Sequence, residues 1–155
     1  MPITMPSATP LILTDEIANF VNNALASGNP LLLAVVDTQG QPILSFRGSA
    51  QVYSKDQIGL WARNNQGGTL ESIRHNSKVA MMYRSATTPM LQFQGRARIA
   101  TDEAERTRVF ENSPEREQKT DLERKGTAVI IDLDKIDGVL SFGANGPIFC
   151  RMMRA

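Results

Sequence analysis

The chain has 155 residues, 41% hydrophobic and 21% charged, which suits a single domain over residues 1–155 and leaves little room for two. Seventeen Lys and Arg against 16 Asp and Glu give a net charge of +1, which argues against a wholly basic polyanion binder and against a disordered chain. One cysteine (Cys150) and one histidine (His75) exclude an intrachain disulfide, a cysteine zinc site and any two-histidine metal site.

The first ten residues are uncharged and proline-broken, with no readable signal peptide. The longest apolar run, Leu31 to Val36, is far below the ~20 residues that span a bilayer. A cytoplasmic protein is expected, with no membrane partner and with any catalysis dependent on a bound cofactor.

Thr14 is a candidate N-cap, with Asp15 and Glu16 in the first turn, where the helix dipole favours acids. Ile17, Phe20, Val21, Ala24 and Leu25 follow at helical spacing, and Gly28 and Pro30 end the element. From Leu31 the period shortens. Strands are expected over Leu31–Asp37, Pro42–Tyr53 and Ile58–Arg63, joined by tight turns as in an antiparallel meander. A polar loop, Asn64 to Gly68, leads into a short helix from Thr69 to His75. Strands Lys78–Arg84 and Met90–Ala100 come next.

Asp102 to Lys125 holds half of all the acids, with Val109, Phe110 and Leu122 as its only large apolar residues. Ser113-Pro114 divides it into two solvated helices laid over the sheet. Strands Gly126–Asp134 and Gly138–Phe142 follow, and Gly143 to Gly146 turns into Pro147–Met153. The sum is a mainly β, α+β chain: a small closed or nearly closed β-barrel with flanking helices.

The charge is segregated. Thr38 to Thr101 holds eight bases against two acids, a net of +6, which leaves −5 for the remainder. Either Arg merely dominates the solvent side of these strands, or the stretch builds an anion site, for which the guanidinium fork is suited. Gly67-Gly68-Thr69 before a short helix favours the second reading, because glycines let backbone N–H groups approach a phosphate. Nucleic acid is disfavoured: two tyrosines and one tryptophan offer little base-stacking surface. His75 suits the end of its helix, Cys150 a buried inert thiol, and Trp61 core or interface packing.

The order Arg47-Gly48-Ser49, then Ile58 to Arg63, Gly67 to Ile73, His75 to Ala80 and Phe93 to Ala97 resembles the pyridoxamine 5′-phosphate oxidase-like family. The resemblance implies an FMN-binding split β-barrel that works as a homodimer, with the flavin and a small-molecule substrate in a groove between subunits. By position it implies that Arg47, Gly48 and Ser49 run along the flavin to its phosphate. Trp61 and Ala62 would present backbone to the ring, with Arg63 near its edge. Gly67, Gly68 and Thr69 would occupy the phosphate cradle, and Gln92 or Gln94 would reach the partner's flavin.

Two departures matter. Thr69 replaces the Lys or Arg usual after the cradle, so phosphate neutralisation falls to Arg47, Arg63 or Arg74. The segment 148–154 lacks the family's tryptophan-plus-arginine substrate segment, which argues against vitamin B6 oxidation. An oxidoreductase is the leading expectation. The alternatives are a flavin-holding or stress-response module, a deazaflavin relative, or a haem relative whose ligand would be His75.

Overall fold

The apolar runs of the chain become nine strands of one mixed sheet in the computed structural model of the protein, which describes residues 2–155. Of the N-terminal segment read above, Met1 lies outside the described residues. The strands are β1 (Thr9–Pro10), β2 (Leu31–Val36), β3 (Pro42–Arg47), β4 (Gln51–Ser54), β5 (Gln57–Ala62), β6 (Lys78–Arg84), β7 (Met90–Ala100), β8 (Thr127–Gly143) and β9 (Gly146–Met153). Four helices accompany them: α1 (Asp15–Asn22), α2 (Gly68–His75), α3 (Glu103–Asn112) and α4 (Glu115–Gln118).

Along the sheet the strand order is β1-β9-β8-β7-β6-β2-β3, with β5 joined to β8 and β4 to β5. All these ladders are antiparallel except β1 on β9. The result is a split β-barrel with flanking helices. Its wall is not closed, because no ladder joins β3 to β4 among the described residues. The barrel stays open at the bend Gly48-Ser49-Ala50, where the sequence suggested one continuous strand from Pro42 to Tyr53. Ser49 turns its hydroxyl inward onto the β5 backbone there, which breaks the alternation of a straight strand.

Strand periodicity fixes what the barrel encloses. On β2, Leu31, Leu33 and Val35 point inward, and so do Val79, Met81 and Tyr83 on β6 and Leu91, Phe93 and Ala97 on β7. Each large apolar side chain buried in this way stabilises the fold by about 1.5–3 kcal/mol. Leu70 and Ile73 bring α2 into the same core, and Ile17 and Val21 bring in α1. Thr14 caps α1 by accepting from the Ile17 N–H at 3.3 Å. The helix stops at Asn22, earlier than the apolar stripe suggested. Asn22 there accepts the Val52 N–H of β4, and residues 23–28 continue as turns that keep Ala24 buried.

A second, smaller core lies outside the barrel. Val109 and Phe110 of α3 pack on Trp61, Ala100, Ala128 and Ile130. Ala128 to Ile131 is therefore apolar at every position, since one face meets the barrel interior and the other meets α3. Leu122, by contrast, is exposed.

Strand β8 is also longer than the sequence suggested. The break placed at Lys135–Asp137 is absent, and one strand of 17 residues runs through it. It does so by bulging against β7 near Gly95 and by holding Gly138 at φ +150°, where that residue lies against the Met90 carbonyl. Among the described residues, no helix is long and apolar enough to cross a membrane.

A Gly138→Ala change forces a Cβ onto the Met90 carbonyl in a backbone conformation that L residues rarely adopt. It should cost at least about 2 kcal/mol. Urea unfolding would show this as a lower midpoint, and an unchanged midpoint would mean that the strand relaxes there freely.

Candidate functional site

At the open seam of the barrel, the end of β3 and the end of β5 face the start of α2 and the one-turn helix α4. A pocket of about 280 Å³ lies between them, lined by Phe46, Arg47, Gly48, Ser49, Trp61, Arg63, Asn64 and Glu117. Five residues singled out in the sequence thus meet in one place: Arg47, Gly48, Ser49, Trp61 and Arg63. A larger cleft of about 440 Å³, on the outer face around Ala34, Val36, Lys78 and Gln94, contains none of them.

Arg47 is half-buried and reaches across to α2, donating from Nη2 to Thr69 Oγ1 at 2.6 Å and from Nε to Ser45 Oγ at 3.1 Å. Both partners are neutral hydroxyls. Burial, and secondarily the charge of Arg63, lower the Arg47 pKa from its ordinary value, although a guanidinium stays charged at any physiological pH. A buried cation set against another cation and against the positive end of a helix is unfavourable unless an anion completes the group. Among the described residues, no ion pair involves Arg47, Arg63 or Glu117.

Two other arginines of the basic stretch are matched. Arg96 pairs with Asp134 at 3.0 Å and Arg98 with Glu105 at 2.7 Å, both acids lying outside that stretch. Part of the segregated charge is therefore cancelled by folding, and of the bases left without an ion pair among the described residues, Arg47 and Arg63 share the pocket. Arg74 lies in the last turn of α2 and does not line the pocket.

Ser49 is 3% exposed and clamps the backbone of Trp61, donating to its carbonyl at 3.0 Å and accepting its N–H at 2.8 Å. As folded, its one hydroxyl proton is thus directed to β5 and away from the pocket. The Trp61 ring turns under α3, edge-on to Phe110 at 5.1 Å. Its Nε1 donates to Asp121 Oδ2 at 2.8 Å. The Ala62 side chain is in the barrel core.

Gly67 forms the N-cap of α2 without a side-chain cap and packs against Asn64, while the Cα of Gly68 faces open space. Gln92 stands on β7 between Met82 and Asp137, and with Gln94 it points to the outer face, apart from the pocket. Phe46, Asn64 and Glu117 line the pocket without having been singled out. Asn64 and Phe46 adjoin recognised segments, but Glu117 comes from the acidic helices, and nothing in its local sequence ties it to Arg47.

Asp121 secures this wall. Its carboxylate accepts from Trp61 Nε1, from the Gly126 N–H at 2.8 Å and from the Lys125 N–H at 3.0 Å. Burial opposes the charged form, yet these hydrogen bonds prevail and hold its pKa below the ordinary aspartate value. Burial also pushes the Cys150 thiol up, as expected of an inert buried cysteine.

Comparison with known proteins gives a family and a fold. A family model described as pyridoxamine 5′-phosphate oxidase matches residues 13–134. No curated protein is similar enough in sequence to be matched. Among solved structures, HupZ of Group A Streptococcus is 22% identical with a TM-score of 0.64, over 83% of this chain and 94% of that one. A Clostridium acetobutylicum protein, related to general stress protein 26 of B. subtilis and of the pyridoxinephosphate oxidase family, is 14% identical. Its TM-score is 0.59, over 89% of this chain and 96% of its own. A heme binding protein from Mycobacterium smegmatis, 14% identical with a TM-score of 0.64, covers 97% of this chain with 60% of its own length.

Replacing Asp121 by Ala leaves the Trp61 N–H without its partner and should destabilise the protein by about 1–3 kcal/mol. Because the carboxyl pKa is lowered in the folded state, its contribution is full above the ordinary aspartate range near pH 4 and fades as pH falls through the folded value. Thermal melts of wild type and variant should therefore differ at neutral pH and converge in acid. A constant gap across that range would assign the effect to packing.

Proposed function

Because the chain belongs to the pyridoxamine 5′-phosphate oxidase family, we propose that it binds FMN at the seam pocket and serves as a flavin-dependent oxidoreductase. The observation that carries this reading is the arginine pair, Arg47 and Arg63, left without a carboxylate partner beside the N-terminus of α2. A phosphate monoester dianion matches that arrangement in charge and in hydrogen-bond geometry. The residues present fit the group. Arg47 and Arg63 would hold the phosphate, Thr69 keeps a hydroxyl proton to donate, and the open side of Gly68 leaves the backbone approachable. The Ser49 clamp on Trp61 keeps β5 in place as the wall beside the ring. FMN, when bound, supplies the hydride or electron chemistry, and the chain supplies anchoring and orientation.

The partner in this reading is a second copy. Leu44 and Phe46 on the edge strand β3 are 63% and 70% exposed, and Met82 across β2 is 42% exposed. Cross-strand register puts Phe46, Leu32, Met82 and Gln92 in one row, and Leu44, Ala34, Ala80 and Gln94 in the next. Such an apolar sheet face suits a protein interface. Phe46 also lines the pocket, so a copy seated on this face would close the site and bring Gln92 or Gln94 towards it. The same reading takes the protein to be cytoplasmic, in keeping with its lone buried thiol.

One observation favours a flavin-holding or stress-response module over an enzyme: the pocket lining contains no His, Cys, Tyr or Lys, and Glu117 is its one carboxylate that could move a proton. A haem reading would rest on His75, which is exposed at the far end of α2 and does not line the pocket.

Freshly purified protein should show flavin absorbance, or acquire it on FMN titration, and bleaching by NAD(P)H would separate enzyme from module. Arg47→Ala should weaken FMN binding about tenfold or more. A colourless protein with no FMN affinity, or one with a haem spectrum, overturns the proposal. Light scattering should give a dimer mass that Phe46→Asp shifts towards monomer, and a monomeric wild type would remove the shared site.

A further inference from the structure

The pocket holds one group that an anion site does not call for. Glu117 of α4 lines it with Arg47 and Arg63, half-buried, and its Oε1 lies so close over the Gly48 Cα that a Cβ there would collide with it. The carboxylate makes no ion pair or side-chain hydrogen bond among the described residues, although two guanidiniums share its pocket. Its backbone is well held. The Glu117 N–H donates to Pro114 at 2.8 Å, and its carbonyl accepts from the Thr120 hydroxyl at 2.6 Å. The segment is tied down further by Asp121 on Trp61 and by Gln118 Nε2, which donates to the Ser113 carbonyl at 2.8 Å.

An unpaired carboxylate beside two unpaired arginines asks for a ligand with both an anionic end and hydrogen-bond donors. We propose that Glu117 is the specificity-determining residue of the pocket, selecting phosphate monoesters of polyols over monoesters without hydroxyls by accepting a ligand hydroxyl. This deepens the reading of the pocket as a phosphate site and rests on it. A monoester dianion with a plain alkyl group meets the arginines but also faces the Glu117 charge, with no O–H to offer in return. A polyol phosphate meets the same repulsion and offsets it with a charge-assisted hydrogen bond from its chain. Selectivity thus comes from a repulsive group that the preferred ligand alone can satisfy. Gly48 is the necessary companion, since any side chain there would displace the carboxylate.

Calorimetric titration at about pH 8 with methyl phosphate and with ribitol 5-phosphate, both dianions there, tests this on wild type, Glu117→Ala, Glu117→Gln and Arg47→Ala, each checked for an unchanged melting curve. Wild type should prefer ribitol 5-phosphate by about tenfold or more, the usual worth of one charge-assisted hydrogen bond. Glu117→Ala should bring the two affinities close together, with methyl phosphate gaining and the polyol phosphate losing. Glu117→Gln should also tighten methyl phosphate, yet keep a reduced preference through its amide oxygen. If both ligands bind, weaken in Arg47→Ala, and keep the same ratio without Glu117, this assignment fails and the phosphate site stands. If neither ligand binds wild type or the Glu117 variants, the phosphate site itself is wrong and the assignment falls with it.

Discussion

A strand has only two hydrogen-bonding edges, yet β8 has three neighbours. One edge carries β7 from Ala128 to Val139, and the other is divided, with Gln57 to Ala62 of β5 on the first half and Gly146 to Met153 of β9 on the second. The handover falls at Leu133 and Asp134, where backbone groups would be left unpaired. They are not. The Leu133 N–H donates to the Asp56 carbonyl, and the Asp134 carbonyl accepts the Arg154 N–H. Arg154 completes the patch by donating from Nε to the Leu133 carbonyl at 2.7 Å and pairing with Asp56 at 3.0 Å. The sheet can then branch, with β5 and β4 leaving one side of β8, and these backbone groups stay paired at the branch point.

The functional geometry follows from that division. Because β5 leaves the main sheet with β4, the wall stays open between β3 and β4, and the seam becomes the place where a ligand can enter. Ser49 closes the inner side by binding the Trp61 backbone, and α2 and α4 bring Thr69 and Glu117 to the outer side. Trp61 joins the two cores mechanically: its backbone is held from the seam and its ring from α3 and Asp121. The pocket is thus built on rigid strands, with a single polar wall from the helical cover.

Much of the architecture is legible in the chain itself. Alternation gives β6 and β7 to the residue, the Thr14 cap and the Gly-Gly pair locate two helix starts, and Ser113-Pro114 divides the helical cover. The two strand boundaries that differ do so for one reason. Ser49 breaks a strand and Gly138 sustains one, because each is decided by what the neighbouring strand presents, a backbone to bind in one case and a carbonyl to avoid in the other. Local pattern cannot see either neighbour.

The site divides along the same line. Residues close together in the chain, Arg47-Gly48-Ser49 with Trp61 and Arg63, could be assigned to one pocket from the family resemblance. The excess of base over acid in the central stretch was also there to be counted. Which arginines keep that charge could not be. Folding brings Asp134 and Glu105 onto Arg96 and Arg98 and brings no acid into ion-pair contact with Arg47 or Arg63. Composition and periodicity thus determine that the chain forms a β-barrel with a basic middle, since burial of apolar faces depends on residue order alone. Only the tertiary structure decides where the uncancelled charge lies, since ion pairing depends on distance between residues that the chain keeps far apart.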